Sequence, residues 1–324
     1  MKKGRPRSGT MQTWPRKRAK RATARVRSWK PVSEGLLGFV GYKAGMTRVM
    51  ATSAHKTSMT KGEEVAVPVT IIECPPLKIY SVRAYTKKGG LRVHKEVVVG
   101  KEKHLRRRIM TKKAHDPQAL DKILNDDVSD ITILAFTQPS LTGFGKKKPE
   151  IIELHMGGSN EEKLKFVKEH LASGIKASEV FKEGDYLDIH GVTKGKGVQG
   201  PVKRFGIGLK PHKSEKGRRG PGAKGSWIAQ QHWQYRTPHA GQTGYHLRTQ
   251  YNTQILKISD DLEAVNPKGG LLRFGLVKNE YLLVKGSAHG SKKRALTLVK
   301  AQRLHESRTP PTIESISTRS QQRR

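Results

Sequence analysis

Val65, Val67, Val69 and Ile71 place an apolar residue at every second position, the period of a strand with one buried face. Around them, LLGFVGYKAGMTRVM (36–50), VAVPVTIIEC (65–74) and LKIYSVRAYT (77–86) are rich in β-branched and aromatic residues and are separated by turn-forming or polar pieces. Further strands are predicted at LRVHKEVVVG (91–100), DITILAFTQP (130–139), PEIIELHMGG (149–158) and DYLDIHGV (185–192). TQILKIS (253–259), LLRFGLV (271–277), YLLVKG (281–286) and RALTLVK (294–300) complete the set, with Lys278 and Asn279 as a hairpin turn. Lys43 and Arg48 read as surface charges at the mouth of the core these strands form.

Helical signals are few. In SNEEKLKFVKEHLASG (159–174), Ser159 and Glu162 have capping-box spacing, Leu164, Val167 and Leu171 share a face, and Gly174 supplies a stop. DPQALDKILND (116–126) reads as a shorter helix with Asp116 at the N-cap, Pro117 in the first helical position and Leu120, Ile123 and Leu124 on one side. The predicted class is therefore mainly β with an α/β insertion. Strands before and after the insertion suggest one sheet closed into a small barrel with two excursions leaving it. No internal repeat is visible.

The boundaries that follow are a basic N-terminal extension (1–34), a first part of the barrel (35–85) and the α/β insertion (86–180). A barrel strand (181–192), a long basic central loop (193–250), the rest of the barrel (251–302) and a polar, proline-broken tail without assigned structure (303–324) follow.

One stretch resists any globular reading. From His190 to Tyr251 aliphatic residues follow neither a helical nor a strand period, glycines and prolines recur, and Glu215 is the only acid between Ile189 and Ser259. A loop of this length inside a compact domain is either functional or disordered. Lys194, Lys196, Lys203, Arg204, Lys210, Lys213, Lys216, Arg218, Arg219, Lys224, Arg236 and Arg248 are interleaved with Trp227, Trp233, Tyr235 and Tyr245. That mixture suits a polyanion offering both phosphates and exposed base faces, which is folded RNA.

Charge strengthens this reading. Lys and Arg number 64 against 27 Asp and Glu, a formal charge of +37. Such an excess repels itself in the compact state and draws in nucleic acid or an anionic surface. The single cysteine, Cys74, excludes an internal disulfide and a cysteine-based zinc site and fits a reducing compartment. No apolar run is long enough for a signal h-region or a bilayer span.

Residues 1–33 carry no acid. Basic clusters at Arg5 and Arg7, at Arg16, Lys17, Arg18, Lys20 and Arg21, and at Arg25 and Arg27 are punctuated by Trp14 and Trp29. A like-charged block is ordinarily a solvated tail. The alternative is an arm that orders against RNA, guanidinium groups on phosphates and indoles on bases; tryptophans in the block favour the arm.

Two decoys fall away. Gly195, Gly197 and Gly200 satisfy GxGxxG after a predicted strand, but Pro201, Gly206, Gly208 and Pro211 argue against the helix a dinucleotide site requires, and no acid lies near the needed spacing except Glu215. His190, His212, His232, His239 and His246 lie in the basic loop without metal-ligand spacing or acidic co-ligands. No catalytic constellation stands out.

Five segments together resemble one family: RPRSGTMQTWPRKRA (5–19), GFVGYKAGMTRV (38–49), DIHGVTKGKGVQGPVKR (188–204), AGQTGYHLRTQYN (240–252) and NPKGGLLRFGLVKNEYLLVKG (266–286). They are similar, in order and over nearly the whole chain, to ribosomal protein L3 of the large subunit, and TQPSLTGFGKKKPEIIEL (137–154) resembles the archaeal form. The resemblance implies a six-stranded translation-factor-like barrel interrupted by an α/β insertion, with an N-terminal extension and a central loop that penetrate rRNA. It also implies an early assembly role, a loop approaching the peptidyl transferase centre, no enzymatic activity and no cofactor. The implied partners are large-subunit rRNA and neighbouring ribosomal proteins of the uL14 and L24e types. A tryptophan in a G-x-W context marks the loop tip in the family, here Trp227, with Trp233 as the alternative. Lys43 of the second motif and Gln242 and His246 of the fourth complete the candidate RNA-binding set. A general nucleic-acid chaperone would share the charge but not the motifs; an RNA-modifying enzyme would need a cofactor loop or catalytic acid in the basic face.

Overall fold

A computed structural model describes residues 16–30, 34–54, 57–87, 89–110, 117–123, 128–213, 216–224, 237–304 and 309–320. The chain is mainly β, with few helices. Its strands are β1 (Gly35–Leu36), β2 (Gly38–Thr52), β3 (Glu64–Glu73), β4 (Lys78–Thr86), β5 (Arg92–Val98), β6 (Asp130–Phe136) and β7 (Ile151–Gly157). After helices α1 (Asn160–Ser173) and α2 (Ala177–Val180) come β8 (Tyr186–Val192), β9 (Gly197–Gln199), helix α3 (Pro201–Phe205) and β10 (Gly241–Thr243). Strands β11 (Leu247–Ser259), β12 (Tyr281–Lys285), β13 (Ala295–Lys300) and β14 (Thr312–Ile316) complete the order.

The chain divides into two compact units, one of residues 1–21 and 192–248, the other of residues 22–191 and 249–324. In the larger unit, seven strands follow the order β13-β8-β11-β12-β3-β2-β14, and β13 pairs a second time, with β2. A five-stranded sheet has the order β1-β7-β6-β4-β5. The period-two pattern at 65–69 alternates partly buried with exposed positions, and from Val69 to Glu73 both faces of β3 are covered. α1 has the expected cap: Ser159 Oγ accepts from Glu162 N, the Glu162 carboxylate accepts from Ser159 N, and Gly174 closes the helix.

Several expectations are corrected. Segment 78–86, read as a barrel strand, lies in the five-stranded sheet between β6 and β5. The 116–126 helix is a 3₁₀ turn, Pro117–Ile123; burial of Leu120 and Ile123, three apart, suits a three-residue period as well as an α-helix. Its proposed cap Asp116 and its residue Leu124 lie outside the described residues. LLRFGLV is not a strand. Leu271 and Gly275 bridge each other around Arg273, whose φ of 59° is left-handed, and the buried Leu271, Phe274 and Val277 recur every third residue.

Lys278 and Asn279 likewise do not turn a hairpin. Both amides donate to Glu73 Oε1, at 2.8 and 3.1 Å, and Asn279 Nδ2 donates to the same oxygen at 2.8 Å. Glu73 is fully buried; that burial raises its pKa, while these donors oppose the rise. The tail holds strand β14, paired with β2 from Val49 to Thr52, where Thr312, Ile313 and Ile316 supply β-branched residues after Pro311.

Lys43 is not a surface charge. It is 9% exposed, and its ammonium donates to the carbonyls of Ala288 and Gly290. Desolvation, then Lys292, lowers its pKa. Arg48 is exposed, as expected.

Candidate nucleic-acid interface

The smaller unit joins the N-terminal arm to the base of the central loop. Its base is more regular than the sequence suggested. β9 and β10 pair antiparallel, with Gln242 opposite Val198, and α3 follows GxGxxG directly. Pro201 and Gly206, read as helix breakers, are instead its boundaries: proline occupies the first turn, and Gly206, at φ 69°, closes the end in the left-handed region. The helix has five residues and no ribose-binding acid follows it among the described residues, so the motif makes a turn rather than a dinucleotide site.

Arg204, on α3, turns back into the unit. Its Nε donates to Gln242 O at 3.2 Å and its Nη1 to His239 O at 2.9 Å. A Cβ on residue 241 would stand about 2.9 Å from this guanidinium, so a larger residue there would push the arginine's end aside. Burial, then Arg16, lowers the Arg204 pKa. This arginine clamps the loop base. Further out, Lys210 N donates to Arg218 O at 3.1 Å and Arg218 Nε returns to Lys210 O at 3.2 Å.

Residues 244–246 hold the arm. Gly244 has φ 71°, and a Cβ there would stand 2.1 Å from Lys194 O. Tyr245 follows with φ 54°, an uncommon conformation for a bulky residue. That twist presents its carbonyl to Ala19 N at 2.8 Å and its ring to the Arg18 guanidinium at 5.0 Å. His246, 6% exposed, has its Nε2 accepting from Gly244 N at 3.1 Å. Its Nδ1 must then carry the proton, which it donates to Lys17 O at 2.9 Å. Arg16 sits over the Phe205 ring at 4.4 Å.

The remaining candidates sort by exposure. Lys17, Arg18, Lys20, Arg21, Lys194, Lys196, Lys203, Arg218 and Arg219 are exposed. Arg16, Lys224, Gln242 and Arg248 are half-buried; burial, then Arg16, lowers the Arg248 pKa, and Gln242 Nε2 donates to Gly244 O. Arg25 and Arg27 are exposed in the larger unit. Trp29, also there, is half-buried and stacks on His155 with ring centroids 5.2 Å apart, so its indole anchors the chain internally instead of facing outward. Arg5, Arg7, Trp14, Trp227 and Trp233 lie outside the described residues. Phe205 was missed; the signal was an aromatic beside Arg204 in a segment otherwise poor in large apolar side chains.

The arrangement is electrostatically one-sided. Within residues 1–21 and 192–248 there are 21 Lys and Arg against one acid, Glu215. Among the described residues of this unit there is no Asp or Glu. Among the described residues no cluster of three or more His, Cys, Asp and Glu is placed to hold a metal.

The model of one family, ribosomal protein L3, matches residues 1–322. The chain belongs to that family. It is 46% identical to the large ribosomal subunit protein uL3 of Methanothermobacter thermautotrophicus over 98% of both chains. The Methanosphaera stadtmanae protein of the same name is 43% identical over 98% of both, and that of Archaeoglobus fulgidus 42% identical over 92% of both. As a family member the chain is a structural component of the large subunit of the cytoplasmic ribosome, and not an enzyme. Its partners are accordingly rRNA and other ribosomal proteins.

Proposed function

We propose that the chain binds large-subunit rRNA directly and early in assembly, through the N-terminal arm and the central loop acting together. The observation that carries this reading is the concentration of 21 cations against one acid in a unit where Tyr245 and His246 clasp the arm to the loop. Neutralisation of phosphates by such a surface releases counterions and supplies most of the affinity. In this reading β2, β3, β12, β11, β8 and β13 form a six-stranded barrel of the translation-factor type, supported by the double pairing of β13. The insertion and loop are excursions from it. Proteins of the uL14 and L24e types are its neighbours.

The loop tip carries Trp227 within GSWIAQQ, a run without charge between two cationic limbs. More than twenty residues separate it from Arg204, enough at up to ~3.3 Å each to reach tens of ångströms toward the peptidyl transferase centre. Stacking of the indole on an unpaired base contributes about 1–3 kcal/mol, sufficient to bias a local RNA conformation but not to anchor the protein.

The test is binding to a transcript of the Methanothermobacter thermautotrophicus large-subunit rRNA, with an unrelated structured RNA as competitor. Retention against excess competitor supports the reading; equal displacement by both RNAs would leave only a general basic chaperone. Trp227→Ala should enter subunits normally while changing the chemical reactivity of bases around the catalytic centre. Unchanged reactivity would remove Trp227 as the tip and direct the same test to Trp233.

A further inference from the structure

The five-stranded sheet has a second, smaller apolar cluster on the face turned away from the main core. Tyr80, Leu134 and Phe136 form it, and the lid that covers them is Leu105, which is 1% exposed. Leu105 sits in a 3₁₀ turn, Lys103–Arg107, that the rest of the fold goes to some length to hold. Val99 N and Gly100 N both donate to Tyr80 O at 2.9 Å, and a Cβ on residue 100 would stand 2.4 Å from Ile79 O, so only glycine passes there. The Glu102 carboxylate pairs with Lys78 of β4. Arg108 N and Ile109 N then close on Leu105 O at 2.8 and 3.0 Å.

This turn displays charge. Lys103, Arg106, Arg107 and Arg108 are exposed, and no carboxylate pairs with any of them among the described residues. Arg106 and Arg107, consecutive on a three-residue period, point about 120° apart, and Arg108 follows at the C-cap, so the arginines do not stack on one line. Beside them Met110 is 91% exposed and Ile109 is 36% exposed. Mutual repulsion opposes ordering a cationic run, yet here a buried leucine, a required glycine and an ion pair order it. Arginine rather than lysine at three positions supplies planar forks that match phosphate oxygens, and the adjacent apolar side chains suit ribose and base faces.

We propose that this turn, residues 101–110, is a second RNA-binding site: a preformed ridge on the insertion that takes the phosphate backbone of folded RNA, separate from the arm and loop. The proposal rests on the reading of the chain as an rRNA-binding protein. It makes the insertion a binding element in its own right and not merely a packed excursion.

The test uses the full chain and the same rRNA transcript. Replacing Arg106, Arg107 and Arg108 together by Gln, with Leu105 intact, should lower the slope of log affinity against log salt by about 2, since each phosphate left unneutralised removes roughly 0.7–0.9. The triple Lys variant should restore most of it. A tethered iron chelate on Arg107→Cys should cleave the RNA at positions different from those cut by the same probe on Lys196→Cys; buried Cys74 leaves wild-type protein as the unlabelled control. Cleavage confined to the arm-and-loop positions, or a slope the Gln variant leaves unmoved, overturns the ridge while wild-type binding still stands. Failure of wild type to bind the transcript would instead overturn the functional reading itself.

Discussion

His246 donates through Nδ1 to the carbonyl of Lys17, 2.9 Å away and 229 residues earlier in the chain. With Nε2 occupied by the Gly244 amide, one neutral imidazole joins the arm, the loop and a strained glycine–tyrosine turn. His246→Ala removes both bonds, freeing the Lys17 carbonyl and the Gly244 amide from the imidazole, a cost of about 1–2 kcal/mol to the local clasp. Trypsin should then cut the free protein faster at Lys17, Arg18, Lys20 and Arg21, while the thermal transition of the larger unit holds. Unchanged cleavage would mean that Tyr245 alone retains the arm.

Truncation should separate the two parts of the extension. Residues 1–21 belong to the smaller unit, whereas Trp29 stacks on His155 and Gln302 Nε2 donates to Ser28 O at 2.7 Å. Deleting residues 1–21 removes nine cations and should flatten the salt dependence of rRNA binding by several units without unfolding the sheets. Trp29→Ala should lower stability and leave the slope almost intact. Equal slopes for full-length and truncated protein would reduce the arm to a solvated tail.

His289 should make the larger unit acid-sensitive. Burial, followed by Lys43 and His190, pushes its pKa down to about 4. The folded state therefore resists protonation that the unfolded chain accepts near pH 6.5. Its contribution is fully present above pH 6.5 and is lost as the pH falls through that value toward 4. Wild type should lose on the order of 3 kcal/mol relative to His289→Gln across that window, read by urea denaturation at each pH. Parallel pH profiles for the two proteins would exclude this histidine as the cause.

Glu73 should be needed as an acceptor more than as a charge. Its Oε1 takes three N–H donors from Lys278 and Asn279, whereas Oε2 finds no hydrogen-bond donor among the described residues. Glu73→Leu strands all three donors and should cost about 3–5 kcal/mol in chemical denaturation. Glu73→Gln keeps the acceptor and should cost less than half of that. The reverse order would show that charge, and not acceptance, holds the 278–279 turn.

Local rules made most elements legible. The Ser159–Glu162 capping box, the alternation at 65–69 and the β-branched runs all describe the structure, because each depends on neighbours in sequence. The misses came from partners far along the chain. Nothing near 278–279 reports that Glu73, some 205 residues earlier, takes the place of a hairpin. Lys43 reads as a surface cation unless the carbonyls of Ala288 and Gly290 are known to meet it. At the interface, charge was readable and internal use was not. Arg204, Trp29 and His246 carry the expected chemistry, yet they direct it inward, at Gln242, His155 and Lys17. Pro201 and Gly206 were misread for a different reason: the same residues that break a helix from within define it from its ends.

The second pairing of β13 has a consequence for the order of events on a translating ribosome. Val40 must wait for Thr297, about 257 residues later, before its second edge is hydrogen-bonded. At ~5–20 residues per second that interval is roughly 10–50 s. Throughout it β2 has β3 but not its final neighbour, whereas the cationic arm upstream has already emerged. Nascent chains of this protein are thus able to meet RNA before the seven-stranded sheet is complete.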